Sequence, residues 1–374
     1  MKHSLKSITI LGAGKIGSAI AGLLHSEGGY EVLVADQDPS RLAPLRALGF
    51  ETFLVHAGAP VQDAVAGRFA VLNALPFHCA VSTAGLCAAQ GVHYFDLTED
   101  VHSTQAIQSL AQGSPTVLMP QCGLAPGFIG IVGHDLARRF DQLLDLRMRV
   151  GALPRFPSNA LGYNLTWSTE GLINEYCNPC EAIVDGRKSE VTALEGLERF
   201  TLDGVEYEAF NTSGGLGTLT HTLLGVARNV DYKSVRYPGH CAVMKLLLND
   251  LRLRDRRDQL QDIFDRAIPA TEQDVIVILA TASGYRNGRL IQDAYSTRIV
   301  GRQVGAQVLS AIQLTTAAGI CAALDLVAQG ALPQAGFLSQ EQVPLQAFLD
   351  NRFGAAYAHA AGQALAHDTL MPIC

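Results

Sequence analysis

Charge is scarce in this chain, and its balance leans acidic. Asp, Glu, Lys and Arg make up 17% of 374 residues, and 28 basic against 35 acidic side chains leave a formal net charge of -7. No run of Lys or Arg is long enough to neutralise a track of phosphates, which argues against a nucleic-acid partner and for small molecules. Internal repeats and low-complexity linkers are missing as well. The eight cysteines lie scattered among apolar neighbours, so they read as reduced buried thiols and not as a secreted disulfide framework. Only Cys177 and Cys180 have metal-ligand spacing. Without a second such pair or an HxxxH, no tetrahedral shell is complete, and no metal is expected. The first residues lack the apolar core and cleavage site of a secretory signal, which reads as a cytoplasmic protein. Residues 302–330 read as one long helix rich in Ala, Gly, Val and Leu. Gln303, Gln307, Gln313, Thr315, Thr316 and Asp325 interrupt it before it reaches the roughly 18 to 20 apolar residues that a bilayer needs. It is taken as a buried or interface helix, with no membrane partner.

What is present is an ordinary globular composition, 48% hydrophobic with 36 Gly and 15 Pro spread along the chain. The length allows two domains. Residues 7–11 form a short β-branched strand that runs into Gly12, Ala13, Gly14, Lys15, Ile16 and Gly17, and a helical pattern follows. A dinucleotide site asks for glycine at these places. Gly12 makes the tight turn, Gly14 removes a side chain that would block a pyrophosphate, and Gly17 lets helix pack on strand. The helix N-terminus then offers free N–H groups to the phosphates. A second strand, residues 30–35, ends at Asp36, nineteen residues beyond Gly17, where an acid reaches the adenosine ribose hydroxyls. A carboxylate there repels a 2′-phosphate, and the next residue is the neutral Gln37, so NAD is the expected cofactor.

The alternation continues with strands at residues 51–55, 69–74 and 92–97, which gives a parallel doubly wound sheet. Ligands lie beyond the carboxyl ends of such strands. Asn73, Ala74, Leu75 and Pro76, then Asp96, Thr98 and Glu99, then the loop opening at Gly123, are therefore expected to face the nicotinamide. For Asp96, Thr98 and Glu99 a helix-capping role is the competing reading. Beyond residue 127 the texture changes to alternating strands and hairpins, at Asp203-Gly204 and Asn287-Gly288. Helices are expected near residues 170–177, 216–227, 239–250 and 255–267. The expected fold is α/β: a Rossmann dinucleotide-binding domain (1–122), an inserted, largely antiparallel α+β substrate and dimerisation domain (123–335), and a C-terminal helical segment (336–374) returning to the first domain.

In chain order, GAGKIG, residues 94–98 (YFDLT), 123–127 (GLAPG), 163–176 (YNLTWSTEGLINEY) and 235–240 (VRYPGH) are similar to the saccharopine dehydrogenase-like oxidoreductases, and within them to lysine 6-dehydrogenases. The resemblance spans about residues 7 to 345. It implies a Rossmann domain with an inserted substrate domain, and assembly as a homodimer or higher homo-oligomer. Relatives reducing to saccharopine carry an acid where this chain has Ala125 and usually take the phosphorylated cofactor, so Ala125 with Asp36 points to the NAD-dependent lysine branch. The expected reaction is oxidative deamination of L-lysine at the 6-amino group. The alternatives are a saccharopine reductase using NADP and a non-catalytic nicotinamide nucleotide-binding regulator.

Such an oxidation needs a proton acceptor near neutral pKa. His240 is the first candidate, because imidazole titrates in that range; packing is its competing reading. Asp96 and Glu99 follow. Arg236 suits the substrate carboxylate, since its planar fork bonds both oxygens. Trp167 with Tyr163 offers walls for an aliphatic stem, or core packing. Glu170 suits an α-ammonium, or a helix first turn. Ser168, Tyr237 and Thr98 complete the expected substrate set. Arg155, Arg286 and Arg298 are the candidates for the extra basic anchor that saccharopine would require.

Overall fold

The computed structural model describes residues 5–358. The first layer runs β1 (Lys6–Leu11), α1 (Lys15–Glu27), β2 (Tyr30–Asp36), α2 (Pro39–Ala47), β3 (Glu51–Leu54), α3 (Val61–Val65), β4 (Ala70–Asn73), α4 (Ala80–Gln90), β5 (His93–Asp96), α5 (Val101–Leu110) and β6 (Val117–Met119). After α6 (Phe128–Ala137) come β7 (Gln142–Pro154), α7 (Thr169–Cys177), β8 (Cys180–Val184), β9 (Arg187–Val191), β10 (Glu198–Leu202), β11 (Val205–Asn211), α8 (Leu219–Thr222) and β12 (Ala227–Arg236). The chain continues through α9 (His240–Lys245), α10 (Arg257–Ala267), β13 (Asp274–Arg286), β14 (Arg289–Val300), β15 (Arg302–Val304) and β16 (Gln307–Leu309). It ends with α11 (Ala311–Ala328), β17 (Gly336–Phe337) and α12 (Leu345–Asp350).

Two sheets carry the molecule. The first is parallel, in the order β17-β6-β5-β4-β1-β2-β3. Its central strands are covered on both faces, so β4 is buried at every position, as parallel strands between helices must be. The second sheet runs β10-β11-β12-β7-β13-β14, with β8 on β12 and β9 on β8. It is antiparallel except where β12 lies parallel to β7. The expected fold class is therefore the observed one. Helix α11 joins the sheets, packing on α1 and β5 of the first layer and on β13 of the second, while α6 covers β7 and β13. The largest apolar cluster is shared by both sheets and runs from Ile8 and Ile10 through Ile20, Ile320 and Leu324 to Ile129, Met148 and Ile276.

The hairpin turns form as the sequence asked. Asp203 and Asn287 hold φ of 51° and 52° ahead of glycines that are also at positive φ, the pattern of a two-residue turn matched to strand twist. A third, at Asp185-Gly186 with φ 48° and 77°, joins β8 to β9 and escaped the sequence reading, because charged residues flank it on the β9 side. Two helix expectations are corrected. Residues 216–227 contain only the short α8, since Gly217 and Gly225 adopt φ of 55° and 78° on either side of it. Residues 302–309 form the β15–β16 hairpin instead of helix, and α11 starts only at Ala311, after the N-cap Ser310, whose side chain and that of Gln313 form a reciprocal capping box. Shortened in this way, α11 loses Gln303 and Gln307 and becomes long and apolar enough to cross a membrane by length and composition, contrary to the sequence reading; 78% of it is buried inside the protein. Gly336 and Phe337 of β17 pair in parallel with Val117 and Leu118 of β6 at the edge of the first sheet. The part of the C-terminal segment beyond residue 358, with Cys374, lies outside the described residues.

Candidate active site

A cleft of about 710 Å³ opens where the carboxyl ends of the first sheet meet the second. One end is made of backbone. Gly12 turns the chain at φ 99°, and a Cβ on Gly17 would stand 1.8 Å from the Gly12 carbonyl oxygen, so helix and loop touch only because that carbon is missing. A Cβ on Gly14 would meet nothing within 4 Å. Gly14 caps α1 without any side-chain hydrogen bond to the first-turn amides. Open space in front of free N–H groups at a helix N-terminus is what a pyrophosphate requires. Lys15, Ile16 and Gly17 line the cleft beside it, as do Ala74, Leu75, Pro76 and Gly123. Asn73 stands behind them, accepting from the Leu75 amide at 3.2 Å and donating to Tyr94 at 3.0 Å, which shapes the turn.

Asp36 sits at the end of β2 and accepts from the amides of Ala13 at 2.7 Å and Asp38 at 2.8 Å. Its carboxylate thereby ties β2 to the glycine loop, and four lone-pair sites leave room for further donors. Gln37 is exposed beside it, and Arg41 reaches the cleft. These residues fit a nicotinamide dinucleotide.

The opposite end is made of side chains. Ser168 caps α7 by accepting from the Gly171 amide at 3.2 Å. Trp167 lies over that first turn, where a Cβ on Gly171 would come within 2.3 Å of its ring. One face of α7 then presents Glu170, Asn174 and Glu175 to the cleft. Across from it stand Tyr232, Ser234 and Arg236 on β12, Thr98 and Glu99 after β5, and Gln313 and Thr316 on α11. Burial pushes the Glu175 carboxyl up to about 7; Arg236 draws it down and Glu99 adds to the rise. Glu99 is likewise pushed above the usual carboxylate range by burial, with Asp100, Glu170 and Asp96 adding their charge. Arg236 is 3.4 Å from Glu175, and Ser234 donates to Glu175 at 3.5 Å.

Four of the residues expected to act in catalysis or substrate binding stand outside the cleft lining. His240 is 1% exposed, with Nε2 3.0 Å from the Tyr176 hydroxyl and Nδ1 3.0 Å from the Leu161 carbonyl. Burial, helped by Arg236, holds its pKa down to about 3, so the ring is neutral and spoken for. Asp96 is buried at the end of β5, accepting from Tyr94 and from the amides of Thr98 and Gln121. It pins two cleft loops together and does not reach the cavity. Tyr163 packs its ring 5.2 Å from the Arg236 guanidinium. Tyr237 donates to the Pro154 carbonyl at 2.9 Å and stacks on Tyr207. None of the three arginines considered as extra anchors lines the cleft: Arg155 lies over Phe156, Arg286 pairs with Asp293, and Arg298 with Asp203. Among the described residues no group of His, Cys, Asp and Glu is arranged to hold a metal.

Glu175, Ser234, Tyr232 and Gln313 were not singled out from sequence. Glu175 was within reach, five positions beyond Glu170 on a helix that already pointed at the site. The others lie on a strand and a helix that only the fold brings there.

Comparison with known proteins agrees with this architecture. Residues 8–118 match the family model for the saccharopine dehydrogenase NADP binding domain, and residues 123–351 that for the saccharopine dehydrogenase C-terminal domain. Among solved structures, apo saccharopine dehydrogenase (L-Glu forming) from Saccharomyces cerevisiae superposes with a TM-score of 0.74 at 14% identity, over 92% of this chain and 97% of that one. A myo-inositol dehydrogenase from Corynebacterium glutamicum gives a TM-score of 0.46 at 11% identity, over 92% of this chain and 94% of that one.

Proposed function

The chain belongs to the saccharopine dehydrogenase family of oxidoreductases, and on that premise we propose that it oxidises L-lysine at the 6-amino group with NAD, giving 2-aminoadipate 6-semialdehyde, ammonia and NADH. The observation carrying this reading is the charge inventory of the cleft. Its lining holds three cations, of which Lys15 and Arg41 belong to the nucleotide end, leaving Arg236 alone at the substrate end against Glu99, Glu170 and Glu175. L-lysine brings one carboxylate for the arginine and two ammonium groups for two of the three acids. Saccharopine brings three carboxylates, and two of them would face acids without a cation. For the cofactor, the family description names NADP, but the Asp36 carboxylate beside a neutral Gln37 favours two free ribose hydroxyls over a 2′-phosphate.

A bound nicotinamide supplies the hydride acceptor. Arg236 holds the α-carboxylate, and Glu175 beside it holds the α-ammonium. Trp167 covers the aliphatic stem. Glu99, on the loop after β5, takes one proton from the 6-ammonium, because only the neutral amine lets its neighbouring C–H electron pair leave as hydride. Water then adds to C6 of the resulting iminium and gives one proton to solvent, Glu99 returns its proton to the nitrogen, and the carbinolamine hydroxyl releases its proton to solvent as ammonia leaves and the aldehyde forms. A steady-state comparison of L-lysine, saccharopine, 1,5-diaminopentane and other amino acids, each with NAD and NADP, tests the reading. Preference for L-lysine with NAD is expected; turnover confined to saccharopine would overturn it.

A further inference from the structure

The Arg236 guanidinium is held by a chain of hydrogen bonds whose direction can be read from its far end. The Leu161 carbonyl has no proton to give, so His240 Nδ1 carries the hydrogen that bridges their 3.0 Å. Burial keeps this imidazole neutral, and a neutral ring with Nδ1 protonated presents Nε2 as a bare acceptor. The Tyr176 hydroxyl, 3.0 Å from Nε2, must therefore donate to it. Having spent its proton there, the Tyr176 oxygen is free to accept from Arg236 Nε at 2.9 Å. Arg236 also donates to the Val235 carbonyl at 2.8 Å through Nη1 and faces Glu175 through Nη2.

A guanidinium has five N–H groups. Those contacts occupy three, one on each nitrogen, so among the described residues one N–H remains on each terminal nitrogen. Two such hydrogens form the fork that grips a carboxylate at both oxygens.

We propose that His240 is a positioning residue: its fixed tautomer orients the Tyr176 hydroxyl, and Tyr176 in turn aims the Arg236 fork at the substrate's α-carboxylate, so that His240 sets the preference for amino acids over simple diamines. This rests on the reading of Arg236 as carboxylate anchor given above. The ring makes no contact with the cleft itself. It lies stacked on Phe210, with ring centroids 6.1 Å apart and planes 8° from parallel. Removing the Nε2 acceptor would free the Tyr176 proton to turn toward Arg236, where two donors would then oppose each other.

The experiment is a comparison of kcat/KM for L-lysine and 1,5-diaminopentane, which differ only by that carboxylate. In His240→Leu and in Tyr176→Phe the ratio of lysine to diamine is expected to fall about tenfold, the scale of one charge-assisted hydrogen bond, mostly through KM for lysine. The double variant should lose no more than either single one, because both break the same chain. His240→Gln, whose amide oxygen can stand in for Nε2, should recover most of the ratio. Equal losses on both substrates, or additive effects in the double variant, would overturn the proposal. Nitrogen NMR of the His240 ring decides the tautomer whatever the substrate. A ring protonated at Nδ1 and unchanged across about pH 5 to 8 is expected, and one protonated at Nε2 or titrating in that range would overturn it. An enzyme inactive on lysine would remove the proposed function while the spectrum still decides the chain.

Discussion

The two ends of the cleft are built from different material. The nucleotide end is mainly backbone and glycine, and its centre comes from one stretch, residues 7 to 36, in which strand, turn, helix and acid follow one another. The substrate end is side chains drawn from α7, β12, α11 and the loop after β5. A site made of backbone depends on local conformation, which neighbouring residues dictate. A site made of side chains depends on which distant elements meet, and the same residue types serve equally well as caps and core. The most sensitive positions should accordingly be glycines at one end and carboxylates at the other.

The largest effect is expected from Gly17→Val. Even the first added carbon would meet the Gly12 carbonyl oxygen at 1.8 Å, so nucleotide binding, followed by calorimetric titration, should be lost. Retained affinity would mean that the loop is more plastic than its geometry implies. Next comes Glu99→Gln, expected to lower kcat about a hundred- to ten-thousand-fold, the range for losing a general base. The rising limb of kcat with pH in the unmodified enzyme should lie above the ordinary carboxylate range, since Glu99 is pushed up.

Glu175→Gln should act on binding instead, raising KM for lysine about tenfold or more. Because Glu175 must be ionised to hold an ammonium and its pKa is pushed up to about 7, KM should fall as pH rises through about 7 in the unmodified enzyme and lose that dependence in the variant. A change in kcat with KM untouched would exchange the roles of the two glutamates. A gentler probe of the backbone end is Asp36→Ser with Gln37→Arg, which should move the cofactor preference toward NADP by about ten- to a hundredfold, read as the ratio of kcat/KM values.

The smallest effect concerns stability. Asp96 is pushed by burial from 3.8 to about 6 in the folded protein, so the folded state holds its proton more tightly than the unfolded chain. That contribution is fully present below about pH 4 and is lost as pH rises through about 6. Urea midpoints measured across this window should fall with rising pH in the unmodified protein, and less so in Asp96→Asn.

The same contrast explains what could be read beforehand. The parallel sheet, the glycine loop and the two Asx-Gly hairpins were legible because periodicity and turn chemistry are local. Residues 302–309 were misread as helix, since apolar Ala- and Val-rich sequence looks helical until Ser310 is recognised as the cap. His240 drew attention as the residue with the right intrinsic pKa, but nothing local shows that Tyr176, Phe210 and Leu161 would enclose it. Asp96 likewise has the chemistry of a base and the position of a loop anchor. Arg236 was found because its planar fork suits a carboxylate, whereas Glu175 was passed over for Glu170, five positions earlier on the same segment.

The most direct test is to incubate the purified protein with L-lysine and NAD and to measure NADH and ammonia together. One ammonia released for each NADH formed, with no comparable turnover of saccharopine, is the result that the charge inventory of the cleft predicts. NADH formed from saccharopine without ammonia would contradict it.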